Sequence, residues 1–146
     1  MFADFIVPQD KRWSEILRRA PHDFYHLPEY TSFAARQEGG QAVAFVAQIG
    51  EQALLVPLLM RSLPDELEPD SDLCDVLTPY GYPGPVLADA PSDQTVVKML
   101  QGFVDSARER GIVSAFWRLH PLLPFPLEQL KKFGTLIQHR FRQRTE

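Results

Sequence analysis

AVAFVAQIGEQALLVPLLM, residues 42–60, decides the fold class. It holds two apolar runs, 42–49 and 53–60, each of strand length and parted by Gly50-Glu51-Gln52. A short glycine-containing link between two such runs predicts an antiparallel hairpin. Pro57 has no N–H to give a ladder, so the second strand is expected at a sheet edge or with a bulge there.

Upstream, Trp13, Ile16 and Leu17 fall at i, i+3 and i+4 within 10–19, a short helical stripe that Pro21 ends. A second helix is expected over about 29–37, with Tyr30, Phe33 and Ala34 on one face and Gly39-Gly40 as its stop. Downstream, 64–72 is acidic and rich in turn formers, hence a surface loop, and 72–77 is a third strand. Residues 93–110 give the clearest helix. Val96, Val97, Leu100, Phe103, Val104 and Ala107 share one face, Ser92 suits the N-cap and Gly111 the residue past the end. IVSAFWRL, 112–119, is apolar on both faces up to Arg118 and reads as a central strand covered on each side. This order predicts an α/β (α+β) fold, a mixed and largely antiparallel sheet with helices packed on it.

A chain of 146 residues, 45% apolar and 23% charged, has the size and composition of one globular domain. Its expected extent is 1–139, with 140–146 a basic, frayed tail. A net charge of -4 provides no global field for collecting DNA. No stretch approaches the ~20 apolar residues of a membrane span. One cysteine, Cys74, precludes an internal disulfide, and no signal-peptide pattern opens the chain; both suggest a cytoplasmic protein.

Several short motifs yield to plainer readings. Gln37 to Ala42 fits the (Gln/Arg)-x-x-Gly-x-(Gly/Ala) pattern of coenzyme A loops, which requires strand, loop, then helix. Here a helix precedes and a strand follows, so the match is rejected. His22 and His26 have the spacing of paired metal ligands, but Pro21 and Pro28 crowd them and no third ligand is evident; no metal is expected. Cys74 lies in an apolar strand and reads as structural. The basic residues Lys131, Lys132, His139, Arg140, Arg142 and Arg144 read as a solvated terminus.

Three features remain. Thr78-Pro-Tyr-Gly-Tyr-Pro-Gly-Pro can hold the phenols of Tyr80 and Tyr82 in fixed geometry, while Gly81 and Gly84 admit close backbone approach. Arg118 and His120 would share a face if the last strand runs on to Pro121, at the carboxyl end where ligands of open sheets gather. Asp75 alternates with Leu73 and Leu77, and Arg118 is its candidate partner. The expected substrate-binding set is Tyr80, Gly81, Tyr82, Gly84, Arg118 and His120; no residue receives a catalytic role.

DFYHLPEY (23–30), VPLLMR (56–61), DVLTPYGYPGPV (75–86) and GIVSAFWRLHPLL (111–123), in this order, resemble the FemAB family and its GNAT-like relatives. TPYGYPGP and RLHPLL are the specific blocks, and the likeness spans about 10–123. The resemblance implies a GNAT-like sandwich, usually one of two in tandem. It implies transfer of an acyl group from acyl-CoA, or an aminoacyl group from charged tRNA, onto an amine. Peptidoglycan-precursor peptides are the best-known acceptors. The matching stretch corresponds to the first, acceptor-side domain. After about His139 the chain departs from the pattern, where the family would continue into a second domain. A truncated or split chain, needing a second GNAT-like domain or chain for chemistry, is therefore expected. The alternatives are a non-catalytic interaction module that docks to a partner or forms a homodimer, and a complete one-domain enzyme.

Overall fold

The computed structural model describes residues 1–64 and 72–138. Most of the acidic loop at 64–72 and the basic tail therefore lie outside the described residues. Along the chain come β1 (Phe2–Ile6), α1 (Lys11–Arg18), a 3-10 turn at Phe24–His26, α2 (Pro28–Glu38), β2 (Gln41–Ile49) and β3 (Gln52–Ser62). Then follow β4 (Cys74–Leu77), β5 (Val86–Ala88), α3 (Asp93–Glu109), β6 (Ile112–Phe116) and α4 (Leu127–Leu130). They build one six-stranded sheet in the order β1-β2-β3-β4-β6, with β5 also paired to β3. Every pairing is antiparallel except β4–β6, which is parallel. The fold is thus the mixed, mostly antiparallel α+β class expected.

The hairpin is its centre, because its side chains alternate between two covered faces. Val43, Phe45, Leu54, Val56 and Leu58 pack with Val96, Met99 and Leu100 of α3. Ala44, Val46, Ala53 and Leu55 face the other way, against Trp13, Ile16 and Leu17 of α1. Burial on both faces explains why these strands read as continuous apolar runs. Each fully buried large side chain contributes roughly 1.5–3 kcal/mol. Helix ends follow the local sequence. Asp10 Oδ1 accepts the Arg12 N–H at 3.0 Å, and Ser92 Oγ accepts the Thr95 N–H at 3.2 Å. Gly39 closes α2 at φ 88, a conformation that side-chain-bearing residues rarely adopt.

Four expectations need correction. Among the described residues β6 is a sheet edge, not a central strand, and most of it is exposed; its Phe116 lines a cleft instead of packing into a second layer. β3 lies inside the sheet despite Pro57. Pro57 sits opposite Ala44 in the β2 ladder, while on the other side β5 pairs with Ala53–Leu55 and β4 with Leu59–Ser62, so that side makes no pairing at Pro57. α2 buries Pro28, Thr31 and Ala34, leaving Phe33 exposed and Tyr30 half-buried, since Tyr30 reaches the 78–85 loop. Asp75 pairs with Arg61 through Nε and Nη2 at 3.2 and 3.1 Å, not with Arg118, because the β3–β4 register sets them opposite each other. β1 and β5 are strands that the sequence pattern did not single out.

Candidate functional site

The 78–85 loop and the exit of β6 are joined by three hydrogen bonds. The Thr78 N–H donates to the Phe116 carbonyl at 2.9 Å, and the Arg118 N–H to Thr78 Oγ1 at 3.0 Å. The Gly84 N–H donates to the Arg118 carbonyl at 2.9 Å. Gly84 must lack a side chain: a Cβ there would stand 2.8 Å from the His120 nitrogen and 3.0 Å from the Leu119 Cα. Gly81 takes φ +97, and a Cβ on it would overlap the Tyr25 ring. The loop is braced from α2 as well. Tyr30 Oη donates to the Tyr80 carbonyl at 2.6 Å, and Glu38 Oε2 accepts the Tyr80 N–H at 3.1 Å. Burial pushes the Tyr30 phenol above its ordinary pKa, which keeps it a donor.

This junction walls an open cleft of about 660 Å³. Tyr80, Gly81, Tyr82 and Arg118 line it, over an apolar floor that includes Phe103 of α3 and Phe133 beyond α4. Tyr80 and Tyr82 are 72% and 51% exposed, so both phenols are free to meet a ligand. No carboxylate among the described residues pairs with Arg118, whose guanidinium lies 5.7 Å from the Phe116 ring centre. The expected site residues divide here. Gly84 acts through the backbone junction, and His120 lies outside the cleft lining. Although His120 is on the same segment as Arg118, its Nε2 engages Asp23 Oδ2 and its Nδ1 accepts the Leu122 N–H at 3.1 Å. Tyr25, Phe103, Trp117 and Phe133 join the lining without having been expected. The aromatic density of 24–30 was the available signal for Tyr25.

Asp23 links His120 to a buried histidine. The fully buried His26 accepts the Asp23 N–H on Nδ1 at 3.1 Å, and its ring lies 5.9 Å from that of His120. Among the described residues His26 Nε2 has no hydrogen-bond partner. Burial pushes the His26 pKa below its ordinary value, reinforced by His120 and His22 and opposed by Asp23. The unfolded chain therefore takes up a proton near pH 6.5 that folded His26 refuses. Stability should be full above about pH 6.5 and fall as pH drops toward the lowered folded pKa, at no more than about 1.4 kcal/mol per pH unit. Urea midpoints between pH 7.5 and 5.5 check this, and the His26→Gln variant should lose that component of the slope.

Other clusters offer less. Among the described residues no group of three or more His, Cys, Asp and Glu side chains can hold a metal ion. Burial pushes the Cys74 thiol up, away from the reactive thiolate. A second hollow, of about 730 Å³, has Arg61 and Arg110 in its wall, but these already pair with Asp75 and Asp4. No described helix is long and apolar enough to cross a membrane. Residues 37–42 run from the end of α2 into β2, which is the reverse of a pyrophosphate-binding loop. Compared with known proteins, the chain matches no family model, no curated protein and no solved structure.

Proposed function

We propose that this domain forms the acceptor side of a FemAB/GNAT-like N-acyltransferase and works with a second GNAT-like domain or chain that brings the acyl donor. One observation carries the reading. A guanidinium without a carboxylate partner among the described residues and two exposed phenols stand together over an apolar cleft, on a backbone junction built from the two blocks that resemble the family. Arg118 can take an acceptor carboxylate on two parallel N–H bonds. The acceptor amine is then left to attack the acyl carbonyl. A C–N bond forms, the C–S or C–O bond to coenzyme A or tRNA breaks, and the amine gives up a proton to a base. Tyr82 or Tyr80 suits protonation of the departing thiolate or ester oxygen. Acceptors with an amine and a carboxylate fit the cleft chemistry, peptidoglycan-precursor peptides among them.

Calorimetric titration with lysine-containing dipeptides tests the reading. Charge-assisted hydrogen bonds contribute about 1.5–3 kcal/mol, so Arg118→Ala should weaken binding about 10-fold or more. Arg118→Lys should recover only part, because an ammonium lacks the fork. Equal affinity for wild type, Arg118→Ala and Tyr82→Ala would remove the acceptor role.

A further inference from the structure

The exit of β6 leaves a row of backbone groups unused. The Phe116 carbonyl accepts from Thr78, while the Arg118 N–H and carbonyl engage Thr78 and Gly84. Residues 116 and 118 therefore face the sheet. Strand alternation turns the peptide groups of Ala115 and Trp117 outward. β6 pairs only with β4 among the described residues, and Trp117 has no backbone hydrogen bond there. Two of the usual protections of an edge are missing: Ile112–Trp117 contains no charge and no proline. The strand is short and its register with β4 shifts at Val113, so the usable edge is Ala115–Trp117, with Val113 and Phe116 54% and 55% exposed.

We infer that this edge is a docking site for an extended, alternating apolar strand of another protein, one that carries a carboxylate at its end beside Arg118. The partner strand would hydrogen-bond to the outward groups of Ala115 and Trp117, in the manner of β-strand addition. Charge selects its chemistry. Arg118 is the one permanent charge in 111–123, and it has no acidic partner among the described residues. Pairing with a second copy would set two Arg118 side chains along one short ladder without a carboxylate. A foreign strand with an acidic end supplies what the edge lacks, and because Ala115–Arg118 also line the cleft it would compete with an acceptor carboxylate for Arg118.

The test uses a synthetic hexapeptide of alternating valine and threonine ending in glutamate, with amide hydrogen exchange as the readout. Exchange of the Ala115 and Trp117 amides should slow at least 10-fold on binding. A peptide ending in lysine should bind at least 10-fold more weakly. Of two peptides N-methylated on alternate residues, only one should bind. Ala115→Pro removes an outward N–H while sparing the β4 ladder, and should abolish binding with the thermal midpoint retained. Equal binding of both N-methylated peptides, equal binding of the lysine-ended peptide, or slow exchange of both amides without peptide would each overturn the inference. The peptide comparisons need no change to the protein, so a poorly folded Ala115→Pro variant would leave the test intact.

Discussion

Trp13→Ala is expected to lower the unfolding free energy by about 3–5 kcal/mol, the usual range for emptying a fully buried aromatic site. Trp13 has no exposed surface and fills the space between α1 and the sheet with Ile16, Leu17, Ala44 and Leu55. Its indole Nε1–H also donates to the buried carbonyl of His26 at 2.8 Å. The same ring therefore anchors α1 and fixes the turn that carries Asp23, Tyr25 and His26. Against a typical total of 5–15 kcal/mol, such a loss leaves a marginal protein. Trp13→Phe separates the two contributions. It retains most of the packing and strands the His26 carbonyl, costing about 1–3 kcal/mol for an unpaired buried polar group. Urea denaturation of the three proteins checks both figures. Equal stability of Trp13→Ala and wild type would refute the assignment of this layer as core.

Gly84→Val should have the second-largest effect, and a different signature. The new Cβ would meet backbone atoms of Arg118, Leu119 and His120, all within 3.2 Å, and backbone cannot swing aside as a side-chain tip can. Overpacking of this kind costs about 1–3 kcal/mol. Relief requires parting the loop from the β6 exit, which breaks the Gly84–Arg118 hydrogen bond and moves Tyr80 and Tyr82 away from Arg118. Cleft-ligand affinity should fall about 10-fold or more, beyond the loss expected of a merely destabilised fold, when measured well below the melting temperature.

How much of this was legible in the sequence varied with the kind of information each feature needs. The hairpin and α3 are local: the two continuous apolar runs of 42–60 and the stripe from Val96 to Ala107 each lie within one segment of sequence. Ser92 and Gly39 mark helix ends through their own backbone chemistry. The meeting of the 78–85 loop with Arg118 was legible as a juxtaposition, because both sit at strand ends. Position in the sheet was not. IVSAF carries the composition of a central strand, yet nothing local says whether another strand lies beyond it. The Asp75 partner depends on the β3–β4 register, which placed Arg61 opposite it instead of Arg118. His120 shows the same limit: strand alternation suggests a shared face with Arg118, but Asp23, 97 residues away in sequence, captures its ring. Strand β1 is only five residues long and includes Asp4, so its pattern was too brief to stand out before β2 was available to pair with it.

The most direct test of the cleft is residue-resolved NMR titration of the labelled protein with a lysine-containing dipeptide. The account predicts saturable shifts concentrated at Tyr80–Tyr82, Phe116–Arg118 and the Arg118 Nε–H, with Arg61 and Arg110 unmoved. Saturable binding that shifts the Arg61 and Arg110 signals and leaves Tyr82 and Arg118 still would contradict it.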